Sequence, residues 1–128
     1  MNVKEYYKTK DGKSLYQFCE MSSLNAYEFD LLKRLWRKKG DYKSDIQKSI
    51  SLCDIYLHEY NNKSFNQNAQ IHNMYDYIKS NWLLSDEIMK LTHLIINLRC
   101  DNYNTFKIHI NKLLRELKQI HKKNTHTN

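Results

Sequence analysis

Five cations fall within seven residues at Lys33, Arg34, Arg37, Lys38 and Lys39, and a single glycine, Gly40, follows them. Asp41, Tyr42, Asp45 and Lys48 come next. Cations at this density attract phosphate. A helix opening beside them adds unpaired backbone N–H groups and the positive end of its dipole. Lys33, Arg34, Arg37, Lys38, Lys39 and Lys48 are therefore candidate phosphate ligands. Trp36 and Tyr42 flank the cluster and could stack on a base, a contact worth roughly 1–3 kcal/mol in single-strand binders. Asp45, a carboxylate among cations, could orient them, hold a ribose hydroxyl or act as a general base, which makes it a weak catalytic candidate. The plainer reading is that the cations neutralise the end of a helix and Trp36 packs in the core.

A second basic face lies near the C-terminus, where Lys112, Arg115, Lys118, Lys122 and Lys123 outnumber Glu116. Such a stripe can track a nucleic-acid backbone, or it can be an ordinary solvated face. Arg115-x5-His121 also matches the loose arginine–histidine spacing of HEPN-type ribonucleases, a pattern short enough to arise by chance in a Lys/His-rich helix. Other chemistry is poorly represented. His72 and Asp76 are four apart and His58 adjoins Glu59, but no third metal ligand follows, so neither metal nor cofactor is expected. Two glycines in the whole chain exclude a P-loop, and no GxSxG or HExxH motif is present.

The stretch from Asp30 to Leu57 resembles a family of small phage-encoded proteins. That family's core reads Asn-x-x-Lys-aromatic-(Leu/Ile)-x-Arg, then a Lys/Gly-rich turn, then Asp-(Leu/Ile)-x-Lys-Ala and a helix ending in Tyr-Leu. The matching residues are Lys33, Leu35, Arg37, Lys38-Lys39-Gly40, Asp45, Ile46, Lys48 and Ile50. Tyr6-Tyr7-Lys8, Asp11-Gly12-Lys13 and Leu15-Tyr16 are similar to the family's opening segment, so the resemblance covers about residues 4–60. The family includes a nucleotide kinase without a Walker motif. The resemblance implies nucleotide phosphate on Arg37, Lys38 and Lys39, with Lys48 as a second clamp and Asp45 as orienter or base. Asp30 stands where the family has asparagine, Arg34 where it has an aromatic residue, and Ser49 where it has alanine. An acid in place of an amide repels a bound phosphate.

These residues need elements to hold them. With no proline and two glycines among 128 residues, the chain favours long helices joined by short polar turns. Apolar spacing predicts a short helix from Ser14 to Met21. A second helix is expected from a cap at Ser22-Ser23 through Lys39, ended by Gly40. Asp41 caps a third, about 42–61, with Tyr42, Ile46, Ile50, Cys53, Leu57 and Tyr60 as its stripe. A fourth is expected at roughly 66–80, and a fifth opens at Ser85 with Asp86 and Glu87 in its first turn. Asp101-Asn102 breaks it, and a sixth runs from about 103 to 122 before a frayed tail at 123–128. The expected fold is all-α, one domain over 1–128, a compact antiparallel bundle of five to six helices whose second part spans 63–122.

A net charge of +7 and a pI near 9.3 favour polyanionic partners. Cys19, Cys53 and Cys100 are odd in number and show no CxxC pair, which points to buried reduced thiols in a cytoplasmic protein. No apolar run is long enough to span a bilayer, so no membrane partner is expected. Ten tyrosines suit a protein-binding surface as well as amphipathic core edges. The expected partner is the phosphate of a nucleotide or nucleic acid. The alternative is a host protein complex, bound by a non-enzymatic phage inhibitor or counter-defence protein directed, for example, at a nuclease or CRISPR assembly. Self-association stays open.

Overall fold

A computed structural model describes residues 15–21, 24–36, 41–60, 71–82, 84–99 and 102–125. Six helices occupy them: α1 (Leu15–Met21), α2 (Ala26–Trp36), α3 (Tyr42–Glu59), α4 (Ile71–Asn81), α5 (Asp86–Ile96) and α6 (Tyr103–Thr125). No strand occurs among the described residues, and the fold is all-α.

Four helices close a ring. α2 packs on α3, α3 on α6, α6 on α5, and α5 back on α2. α3 and α6 run antiparallel, because Tyr60 meets Tyr103 at 5.4 Å between ring centroids while Tyr56 meets Phe106 at 4.7 Å. α1 lies against α2 and α4 against α5. The two are joined where Phe18 stacks on Tyr77 at 5.5 Å and meets the edge of Trp82 at 5.4 Å. The α2/α5 side is thus covered, while α6 keeps its outer face.

The helix ends follow from local chemistry. Asp41 accepts a hydrogen bond from the Lys43 N–H (3.1 Å) and caps α3, and Ser85 accepts one from the Ile88 N–H (3.2 Å) and caps α5. Asn102 opens α6 by accepting from the Thr105 N–H at 2.9 Å. The expected cap at Ser22-Ser23 lies outside the described residues, and α2 instead starts from Asn25. Its side chain accepts from the Glu28 N–H at 2.9 Å, while the Glu28 carboxylate accepts from the Asn25 N–H at 3.0 Å. This reciprocal pair is a capping box built on Asn-x-x-Glu, and asparagine caps as well as serine does. α6 continues through Thr125, so the tail expected to begin at 123 is helical for its first residues.

The core contains the expected stripes: Leu15, Phe18 and Cys19 of α1; Leu31 and Leu35 of α2; Ile46, Ile50 and Cys53 of α3; Leu91 and Ile95 of α5; and Phe106, Ile110, Leu113, Leu114, Leu117 and Ile120 of α6. Tyr56 belongs to it too, 1% exposed, although the expected α3 stripe passed through Leu57.

Candidate functional site

The described part of the basic corner is drawn inward and sideways. Arg37, Lys38, Lys39 and Gly40 lie outside the described residues. Lys33, half-buried, places its ammonium 6.0 Å from the ring centre of Tyr16 on α1, a cation–π contact. Arg34 sits one helical turn from Asp30, with Nε 3.3 Å from the carboxylate. Asp30 thus holds Arg34 along the helix surface. Lys48 is exposed on α3.

Trp36 does not offer a face to a base. It is 2% exposed, its indole N–H donates to the Thr92 hydroxyl at 2.9 Å, and its ring lies 4.8 Å from that of Trp82. The reason is periodicity: Leu31, Leu32, Leu35 and Trp36 repeat at three- and four-residue intervals, so position 36 ends the inward stripe. Thr92 passes its own proton to the Ile88 carbonyl at 2.7 Å, so the hydroxyl serves both neighbours. Tyr42 is half-buried and donates to Glu87 at 2.5 Å. Burial first, and then the Glu87 carboxylate, push its phenol well above the ordinary tyrosine range. Asp45 is 5% exposed in the first turn of α3, where its carbonyl accepts from the Ser49 hydroxyl at 2.8 Å. Trp36 and Tyr42 together fasten the α2–α3 corner to α5.

The second basic face is open to solvent along its length. Lys112, Arg115, Lys118 and Lys122 are all exposed, and so are Lys107 and Lys123 at the two ends. The one carboxylate in α6, Glu116, is partly exposed and lies 3.2 Å from Lys90 on α5. Among the described residues none of these six cations is in an ion pair. Lys107 was not among the sequence candidates, although it lies eleven residues before Lys118 on the same side of the helix.

Sequence reasoning missed a buried ion pair among the described residues. Glu28 and Arg99 form an ion pair, Oε1 to Nη1 at 3.1 Å, with both side chains 2% exposed. The Tyr56 hydroxyl donates to the other Glu28 oxygen at 3.4 Å and accepts from the Asn25 amide at 2.9 Å. The Tyr56 ring stacks on Tyr27 at 4.3 Å. Burial raises the Glu28 carboxyl above the ordinary range, while Arg99, the Asn25 N–H and Tyr56 pull it back. Asn-x-x-Glu was a readable signal for Glu28. Nothing local marked Arg99, which reaches the core because Leu98 and Arg99 fold back to the Ile95 and Ile96 carbonyls in tight turns after α5. The network is sealed from substrate, and its role is structural.

Two clefts are formed by described residues. One of about 570 Å³ is lined by Lys79, Asp86, Met89, Lys90, His93 and Leu94; a shallower one of about 250 Å³ lies between α1 and α2 around Tyr16, Asn25 and Phe29. Neither is lined by a corner candidate.

Cys19 and Cys53 are buried thiols. Burial, with a smaller push from Glu28 and Asp54 respectively, raises each to about 12. Since the thiolate is the nucleophile, both should resist iodoacetamide at about pH 8 until the protein unfolds. Site-resolved mass spectrometry reads this directly, and fast alkylation of either cysteine in native protein would contradict it.

No protein-family model matches the chain. No solved structure matches it either. Its function is therefore argued from the geometry above.

Proposed function

We propose that this protein binds the phosphate backbone of nucleic acid through the outer face of α6, with the cations of the 33–48 corner as a second contact. The observation that supports the reading is the exposed row Lys107, Lys112, Arg115, Lys118, Lys122 and Lys123, with the carboxylate of Glu116 directed to Lys90 instead. A surface of this kind suits a polymer of phosphates better than a single nucleotide. It has breadth, its cations line neither of the two clefts described above, and the acid candidate Asp45 and the stacking candidate Trp36 are both buried. The reading is of a binding protein and assigns no reaction.

Binding that neutralises phosphates releases counterions, so affinity falls linearly with salt on logarithmic axes, by about 0.9 per phosphate on duplex DNA. Fluorescence anisotropy with labelled oligonucleotides should show this slope, while a nucleoside triphosphate leaves the melting temperature almost unchanged. Replacing Lys112, Arg115, Lys118 and Lys122 together by glutamine should lower affinity for every sequence and flatten the slope by roughly 3–4. Absence of binding to DNA and RNA at low salt (about 50 mM) would sink the proposal.

A second reading, the inhibitor that occludes a host protein complex, is supported by the exposed apolar side chains Tyr16, Ile55, Tyr103 and Ile108. It predicts co-purification with a protein partner from expressing cells and no salt-dependent nucleic-acid binding.

A further inference from the structure

The outer face of α6 has an internal order that phosphate binding alone does not require. Ile108, Asn111, Arg115, Gln119 and Lys122 follow one another by three or four residues and form a crest opposite the buried stripe of Phe106, Ile110, Leu113 and Leu117. Lysines border the crest, Lys107 and Lys118 along one side, Lys112 and Lys123 along the other. Each pair is eleven residues apart, three helical turns, or about 16 Å. All nine side chains are exposed. Ile108, on the crest, is 65% exposed.

An ordinary solvated helix face mixes acids with lysines at i, i+4 spacing, where each pair adds a little stability. The one acid of α6, Glu116, stands four residues after Lys112 but is partly buried and turned to Lys90 on α5. The exposed crest presents two amides, one guanidinium and one branched alkyl group beside Lys122, and amides, guanidinium and alkyl groups are those that read base edges. Arginine pairs with guanine, asparagine and glutamine pair with adenine, and an alkyl group packs on the thymine methyl.

We infer that α6 docks in the major groove of duplex DNA, its crest contacting base edges and its lysine borders gripping the two phosphate backbones. The inference rests on the nucleic-acid reading above and narrows it to one kind of duplex. A B-form major groove, about 12 Å wide, admits an α-helix, whereas the deep and narrow major groove of A-form RNA does not. Among the described residues the approach is open, because α1 packs on α2, α4 packs on α5, and the crest side chains are exposed.

The test is selection of bound duplexes from a DNA pool with a randomised core, followed by affinity measurements on the enriched sequence. A short motif should rise in the pool. Asn111→Ala and Gln119→Ala, which leave every cation in place, should each weaken binding to that motif about tenfold while leaving affinity for random duplex near its original value. Lys107→Gln with Lys118→Gln should weaken both alike. These side chains are exposed, so unchanged melting temperatures will show that the variants fold. Tight duplex binding without enrichment, or equal affinity for duplex RNA, overturns the groove inference and leaves the phosphate reading standing. No binding to any nucleic acid overturns both.

Discussion

Arg99→Ala should cost about 3–5 kcal/mol of folding stability, because it strands the Glu28 carboxylate in the core without its counter-charge. The pair is fully desolvated, and the other groups on Glu28, the Asn25 N–H and the Tyr56 hydroxyl, are dipoles and not charges. Urea unfolding measures the loss. Its pH dependence identifies the cause. Burial raises the Glu28 carboxyl in the folded state. A raised folded-state pKa means that the group's contribution to stability is complete in acid and is lost as pH rises through that raised value. Without Arg99 the carboxyl is raised further, so the deficit of the variant grows from acid towards neutral pH. A deficit equal at about pH 5 and about pH 8 would mean that lost packing, and not an unpaired charge, is responsible. Replacing both partners by apolar residues of similar volume should recover much of the loss, less about 1 kcal/mol for the Glu28 half of the capping box.

Trp36→Ala should be comparably severe, about 3–5 kcal/mol, through the cavity left between α2 and α5. It also strips the Thr92 hydroxyl of its donor. A fall of roughly 10 °C or more in melting temperature is expected for a chain of this size. The same variant separates a core residue from a ligand contact. Nucleic-acid affinity per folded molecule, measured in the cold where the variant remains folded, should be unchanged. Lost affinity with intact stability would place the indole at the ligand instead.

The helices were legible because their signals are local. Apolar spacing located all six, and Asp41 and Ser85 cap α3 and α5 as their positions suggested. The exposed face of α6 was legible too, since a 23-residue helix with one strong stripe can point its lysines only outward. Trp36 was harder. Its neighbours Lys33 and Arg34 made it look like part of a basic surface, yet its place one residue beyond Leu35 put it on the buried side. The Glu28–Arg99 pair was beyond reach, because a long-range ion pair leaves no periodic trace. Burial of a glutamate and an arginine is decided by which turns happen to meet, and that is a property of the assembled bundle.

The longest-reaching polar contacts have a consequence for how the chain comes to fold. Glu28 waits for Arg99 across 71 residues, and Trp36 waits for Thr92 across 56. Until α5 arrives, α1–α3 holds a carboxylate with no counter-ion and an indole with no acceptor. The first half of the chain is therefore not an autonomous unit. A fragment ending at Tyr60 should have helices but no fixed core, and synthesis must carry the chain past Arg99 before the bundle can lock. Closing so wide a loop early is entropically costly. The two contacts make the polar core of α1–α3 depend on α5, so a truncation before Thr92 removes a partner from both Glu28 and Trp36.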